Sequence, residues 1–282
     1  MSVVYINKIF LNEKDAHISI YDRGFLFGDG FFETIRCQNG TILFLKDHLD
    51  RLCRSCEEFK ITLPRMDKMG AIIKRLLVEN KLNTSVAAAK IIITRGITGE
   101  LMVTATKTPT IIVTVRPYRS FPESLYTSGL SLVVFPYPHQ TFLAKHKSLN
   151  YLYYISAFSF AKQKKAHDAI IMDHKGNVLE GAISNLMICR ASAIIAPPSS
   201  MDLLPGVTQK YALAFFEKKG FKILYKPIKL KDLFTADEII VTNSLFLSAP
   251  VRKVEGTPVS KDSYCGRLLK DYFQSKFSCD SP

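Results

Sequence analysis

Asn39-Gly40 sits between two runs of extended character, Glu33–Cys37 and Thr41–Leu45. Both turn positions of a two-residue hairpin need positive φ, which asparagine tolerates and glycine takes freely. The dipeptide therefore predicts two antiparallel neighbours joined by a tight turn. Helical spacing follows at once. In Asp47–Phe59, residues Leu49, Leu52, Cys53, Cys56 and Phe59 share one face, and Met66–Asn80 repeats the pattern through Met69, Ile72, Ile73, Leu76 and Leu77. Extended segments are expected at Val3–Phe10, His17–Ile20, Ala87–Ile93 and Thr110–Val115. Strands, then helices, then strands make a mixed α/β lobe of the α+β class.

Pro117–Ser128 carries two prolines and no periodicity, so it reads as a linker. Beyond it the pattern alternates. Strands are expected near Leu130–Phe135, Ala169–Asp173, Val178–Glu180, Ser184–Arg190, Lys222–Tyr225 and Glu238–Thr242. Helices are expected at Tyr151–Gln163, Val207–Lys219 and Lys261–Phe277. The expected organisation is a small N-terminal domain over 1–117, a linker over 118–128 and a larger domain over 129–282, with a site between the two lobes.

Composition removes several function classes. No stretch approaches the roughly 20 apolar residues of a membrane span. The first residues, Met1 to Lys8, lack the basic-then-apolar layout of a signal peptide, so the expected location is cytoplasmic. Six cysteines in 282 residues are too sparse for a disulfide scaffold. Cys53 and Cys56 have the spacing of a redox or metal pair, but they fall within a helical pattern and no second pair lies at zinc-ligand distance. Both read as reduced thiols, and no metal site is expected. The formal charge of +13 is spread along the chain. It fits a solvated basic surface, or secondarily a funnel for an anionic substrate, and no RNA-binding motif accompanies it.

A few residues could carry chemistry. Lys147 precedes a predicted helix, and a lysine can hold an aldehyde as a Schiff base. Glu180 lies on a predicted strand, and a carboxylate can keep a ring nitrogen protonated. Leu204-Pro205-Gly206-Val207-Thr208 opens an apolar helix, whose first N–H groups, those of Val207 and Thr208, suit an anion. Thr242-Asn243-Ser244 ends a strand with small polar groups that could donate to phosphate. Arg51 on the first helix is either a surface residue or a bidentate phosphate partner. The glycines of Phe27-Gly28-Asp29-Gly30 do not make a dinucleotide fingerprint, because the third glycine and the following helix are missing. They read as a tight turn feeding a strand that sends Phe32 and Thr34 to one face and Glu33 to the other.

These segments, in order, resemble the class IV aminotransferases, enzymes of fold type IV that use pyridoxal 5'-phosphate (PLP). Tyr21–Arg36 is similar to the family's opening motif, His48–Leu52 to its next helix, and His146–Leu152 to its Schiff-base segment. Glu180–Asn185 resembles its pyridine-nitrogen strand, while Leu204–Thr208 and Thr242–Ser244 resemble its two phosphate segments. The resemblance implies a two-domain fold, a homodimer, and PLP bound through Lys147, with Lys145 as the rival lysine. Glu180 would pair with the pyridinium nitrogen. Arg51, the Val207 and Thr208 amides and Ser244 would anchor the phosphate, and Tyr151 would approach the cofactor O3′. Phe32, Thr34 and Arg95 are the expected substrate-pocket residues.

Within the family, Thr34 stands where branched-chain enzymes usually have glycine and the lyases commonly have threonine. Phe32 replaces a tyrosine usual in D-amino acid aminotransferases. The Arg-x-His of those enzymes is absent, since Ile97-Thr98-Gly99-Glu100-Leu101 stands there. Thr242-Asn243-Ser244-Leu245 looks like the lyase version of its turn. The resemblance thus implies a 4-amino-4-deoxychorismate lyase acting on an anionic small molecule, with a branched-chain or D-amino acid aminotransferase as the alternative. A basic nucleic-acid-binding protein is the remote alternative, and neither nucleic acid nor membrane is an expected partner.

Overall fold

The computed structural model describes residues 2–63, 65–98, 108–259 and 263–277. It divides into two compact units, Met1–Ser120 with His146–Asn150, and Phe121–Lys145 with Tyr151–Pro282.

The first unit contains β1 (Val3–Ile6), β2 (Ile9–Asn12), α1 (Arg23–Phe27), β3 (Gly30–Gln38), β4 (Thr41–Ile42), α2 (Leu45–Glu58), α3 (Met69–Glu79), β5 (Val86–Thr94) and β6 (Thr110–Pro117). The six strands form one antiparallel sheet, in the order β2-β1-β6-β5-β3-β4. Asn39 and Gly40 turn β3 into β4 at φ 49° and 76°. Strand alternation sorts the residues. Phe31, Ile35 and Cys37 of β3, with Ile91 and Ile93 of β5, pack against Leu52, Cys56, Ile73, Leu76 and Leu77 of the helices. Ile35, Leu52, Ile73 and Leu77 are at most 1% exposed, and each such side chain contributes roughly 1.5–3 kcal/mol by leaving water.

Three expectations change in this unit. Val3–Phe10 is two strands rather than one, turning at Asn7 and Lys8 with φ 45° and 78°. Asn7 holds that turn by exchanging hydrogen bonds with Ile111. His17–Ile20 pairs with no strand and follows a 3-10 turn at Glu13–Asp15. The tight turn before β3 contains the short helix α1, started by Asp22, whose carboxylate accepts from Gly24 N, and stopped by Gly28 at φ 66°.

The second unit contains α4 (Glu123–Ser128), β7 (Leu130–Val134), α5 (Leu152–Gln163), β8 (Asp168–Met172), β9 (Asn177–Gly181), β10 (Asn185–Arg190), β11 (Ala193–Ala196), α6 (Val207–Lys218), β12 (Lys222–Tyr225), β13 (Ile228–Lys229), α7 (Leu230–Phe234), β14 (Glu238–Asn243), β15 (Leu247–Val254), β16 (Thr257–Pro258) and α8 (Tyr264–Ser275). One large sheet runs β12-β11-β10-β14-β15-β7-β8-β9-β13, with β16 beside β15. It is mixed: β7 pairs parallel with β8 and β15, and β11 with β12, while the remaining pairs are antiparallel. Strands β8, β9, β10 and β14 are buried over nearly their whole length, which explains their apolar runs.

The expected linker over 118–128 is not a bare connection. Phe121 stacks on Phe246 at 5.3 Å, α4 follows, and Phe121, Leu125 and Tyr126 pack on the core of the second unit. Nor does the segment after Lys145 stay with the chain around it. Phe32 N donates to Lys147 O and Leu149 N to Gly30 O, each at 2.9 Å, which adds His146–Asn150 to the edge of β3. No helix among the described residues is long and apolar enough to cross a membrane.

Candidate active site

The residues expected to carry chemistry divide between the units, and each unit arranges its own set. In the first unit lie Lys147, Phe32, Thr34, Arg51 and Arg95. The Lys147 Nζ stands 4.8 Å from the centre of the Phe32 ring. Lys90 of β5, registered opposite Thr34, brings a second ammonium to the same distance from that ring. Burial, and then the charge of Arg116, lower the Lys90 pKa. Lys90 was not among the expected residues. Its signal was the strand period, which places it on the face of Phe32 and Thr34 once β3 and β5 are paired.

On the opposite face of β3, Glu33 is 1% exposed. Arg51 grips it with Nε on Oε1 at 2.8 Å and Nη2 on Oε2 at 2.7 Å. His48 Nδ1 lies 2.7 Å from the same Oε2. Burial opposes the charge on Glu33, yet the Arg51 guanidinium and the His48 and Arg51 hydrogen bonds outweigh it and hold the carboxyl at about 2. Burial lowers the His48 pKa despite Glu33, which disfavours the charged imidazolium at this contact. Arg51 therefore commits its Nε–Nη2 edge to a carboxylate. Arg95, expected in the substrate pocket, lies among loop contacts. It is 7% exposed, with Nε on Asp29 Oδ2 at 2.8 Å, Nη1 on Lys60 O at 3.1 Å and Nη2 on Phe59 O at 2.9 Å. Those bonds make it a brace between loops. Of the Arg-x-His comparison segment, Gly99–Leu101 lies outside the described residues.

The second unit holds Glu180, Tyr151, Val207, Thr208 and Ser244. Glu180 sits on β9 at 3% exposure. Tyr154 Oη donates to its Oε1 at 3.0 Å, while Asn185 Nδ2 at 3.3 Å and Leu204 N at 3.2 Å donate to Oε2. Asn185 also donates to Leu204 O at 2.8 Å, which ties Glu180 to the loop ahead of α6. Gly206 is required there, because a Cβ on it would lie 1.9 Å from Asn185 Oδ1. Behind Glu180, Asp168 accepts from Ser184 Oγ at 2.6 Å and from two backbone amides, fixing the turn from β9 into β10. Burial outweighs those bonds and pushes its pKa up to about 6.

The N-terminus of α6 has no side-chain cap. By helix geometry the amides of Val207 and Thr208 have no partner inside the helix. Thr208 Oγ1 is buried without a hydrogen-bond partner, and so is Thr242 Oγ1, on the strand directly beside Asn185. A buried hydroxyl without a partner costs about 1–3 kcal/mol, so two of them mark a place for an acceptor such as a phosphate oxygen. Ser244 stands half-buried in the adjoining turn. Asn243 Oδ1 accepts from Leu245 N and Phe246 N at 2.9 Å, and Asn243 Nδ2 donates to Ile183 O at 3.1 Å. Tyr151 stacks on Tyr154 with ring centres 5.0 Å apart. Lys145, the rival lysine, lies 3.8 Å from Asp202 in this unit. Tyr154 was not among the expected residues, and Asn185 and Asn243 entered only as members of their motifs, since nothing in a tyrosine-rich helix or an Asn after a strand says which group it reaches. Among the described residues no cluster of His, Cys, Asp and Glu could hold a metal ion, and Cys37, Cys53, Cys56, Cys189 and Cys265 are free.

Comparison with known proteins bears on this geometry. The profile of the family "Amino-transferase class IV" matches residues 30–254. A putative branched-chain-amino-acid aminotransferase of Methanocaldococcus jannaschii is 31% identical, over 95% of this chain and 92% of its own. A D-alanine aminotransferase of Staphylococcus epidermidis is 29% identical over 97% and 96%. An aminodeoxychorismate lyase of Bacillus subtilis is 29% identical over 90% and 87%. In fold, the branched-chain amino acid aminotransferase of Escherichia coli superposes with a TM-score of 0.91 at 20% identity, covering 100% of this chain and 96% of that one.

Proposed function

Because the chain belongs to the class IV aminotransferase family, whose members are PLP-dependent aminotransferases and lyases, we propose that it is a PLP enzyme acting as a 4-amino-4-deoxychorismate lyase. Solved relatives are described with the cofactor or its amine form bound. The donors in this chain fit such a group: uncapped amides on α6 and two buried unpartnered hydroxyls for a phosphate, and a fixed carboxylate for a ring nitrogen. Val207, Thr208 and Ser244 would hold the phosphate, with Arg51 adding positive charge in an orientation set by Glu33. Glu180 keeps the ring nitrogen protonated. Tyr151 serves O3′. When bound, PLP draws the electrons of a broken C–H bond into its ring.

Lys147 holds the cofactor covalently through Nζ. Its Nζ, when not bound to the cofactor, would be the base for the proton on the carbon that bears the substrate nitrogen. Phe32 bounds the space in which that amine moves. The proton taken by Nζ would be returned to the departing enolpyruvyl group, so that aminodeoxychorismate would yield pyruvate and p-aminobenzoate with no 2-oxo acid acceptor. A net charge of +13 suits a dicarboxylate substrate. Free thiols suit a cytoplasmic enzyme.

The observation that carries the lyase reading is the turn Thr242-Asn243-Ser244-Leu245. Its asparagine occupies two tip amides, and it replaces the Gly-Thr-Ala usual in branched-chain enzymes. The aminotransferase reading has its own support in the 31% identity to a putative branched-chain-amino-acid aminotransferase. Aminodeoxychorismate supplied without any acceptor decides between them. The lyase releases pyruvate and p-aminobenzoate in equal amounts. No product, alongside turnover of an amino acid with 2-oxoglutarate, contradicts the lyase and establishes the aminotransferase. The working form is a homodimer, a reading supported by the apolar surface of Ile20, Tyr21, Phe25, Leu26, Phe27 and Ile97, each at least 48% exposed in the first unit.

A further inference from the structure

We infer that Tyr154 is a positioning residue for Glu180, its phenol fixing the carboxylate that faces the ring nitrogen. The inference rests on the reading of Glu180 given above. Its geometric basis lies wholly inside the second unit. Tyr154 Oη donates to Oε1 at 3.0 Å, and Asn185 and Leu204 donate to Oε2 at 3.3 and 3.2 Å. Donors on both oxygens give the carboxylate one orientation. They also favour its ionised form at a position only 3% exposed. A carboxylate that accepts three hydrogen bonds is a weak base, so a proton shared with a ring nitrogen rests on the nitrogen. That is the state in which the ring withdraws electrons.

The α5 helix and its N-cap residue present three tyrosines, and the structure separates their tasks. Tyr153 turns away and donates to Tyr137 O at 2.6 Å. Tyr151 stacks on Tyr154, with an interplanar angle of 22°. Tyr154 donates to Glu180. His139 and Tyr153 meet its ring edge-on, at 5.4 Å and 5.6 Å, and hold it there. Burial, and then the negative charge of Glu180, raise the phenol pKa far above its usual value. Tyr154 therefore remains a donor across the working pH range.

The test uses the PLP-loaded protein with 15N in the cofactor ring, in wild type, Tyr154→Phe, Glu180→Gln and the double variant. Phenylalanine keeps the ring stack and removes only the donor. The expected result is a 15N resonance of Tyr154→Phe displaced toward the unprotonated ring, with kcat lower by about tenfold, the loss of one hydrogen bond to a charged group, and KM little changed. In the Glu180→Gln background the second substitution should add nothing, as coupling through one carboxylate requires. Thermal melting of each apo variant reads packing separately. A wild-type resonance and kcat in Tyr154→Phe, while Glu180→Gln moves both, would overturn the role of Tyr154. An unmoved resonance in Glu180→Gln would instead overturn the reading of Glu180, and this inference with it.

Discussion

Glu33 is an ionised carboxylate inside a hydrophobic face, and its neighbours define what removing it does. A buried charge loses its compensation when a partner goes, at a cost of about 3–5 kcal/mol. Arg51→Met should therefore destabilise the protein strongly in urea titrations, whereas the paired change Glu33→Leu with Arg51→Met should recover most of the loss. Recovery of none would mean that the pair is not the coupled unit that the geometry describes. The pH dependence has a definite sign. The Glu33 pKa falls from 4.5 to about 2 on folding, so its stabilisation is complete above the unfolded value and is lost as pH drops from about 4.5 through 2. Strand alternation alone separated Glu33 from Phe32 and Thr34. It could not choose between phosphate and carboxylate as the partner of Arg51, because a guanidinium on a helix face suits either. Arg95 shows the same limit: an arginine after a strand looks available until its contacts with Asp29, Lys60 and Phe59 are known.

At the scale of elements, the site depends on short connections more than on strands. The Leu204–Gly206 loop positions α6 through Asn185, and only glycine leaves room for that side chain. Gly206→Ala should push Asn185 off Leu204 and weaken PLP binding by roughly tenfold, the equivalent of about 1.4 kcal/mol. Cofactor titration of the apo protein measures this directly, and unchanged affinity would contradict the role given to α6. Asp168, behind Glu180, gives a second pH signature of opposite sign to that of Glu33. Its pKa rises from 3.8 to about 6 on folding. The folded protein thus keeps a proton that the unfolded chain has released, and stability falls as pH rises from about 4 through 6. In Asp168→Asn that part of the slope should vanish from the difference between the two stability curves. Helices α2, α3, α5 and α6 were legible from their spacing, because amphipathic periodicity survives without context. The β1–β2 turn was not, because Asn7-Lys8 lacks the glycine that announces positive φ. The strand β15 was not, because its pairing with β7 is set at long range. The helix α4 hid behind two prolines, one of which caps it.

For the whole molecule, the order of the motifs carried more information than any of them. Each match is modest, and together they run along the same span as the family profile, residues 30–254. The division of the chain was only partly readable, since backbone bonds from Phe32 and to Gly30 draw His146–Asn150 into the first unit from the middle of the second. The exposed Phe25, Leu26 and Phe27 give a test of assembly. Light scattering should return twice the mass of a 31.8 kDa chain, and Phe25→Glu with Phe27→Glu should lower it toward one chain. The claim on which the functional account stands is that Lys147, not Lys145, carries the cofactor. Borohydride reduction of the yellow protein, followed by proteolysis and fragment sequencing by mass spectrometry, measures it. The account predicts one reduced phosphopyridoxyl group, on the Nζ of Lys147, and its loss in Lys147→Ala. The group on Lys145, or a reducible covalent cofactor retained in Lys147→Ala, would contradict it.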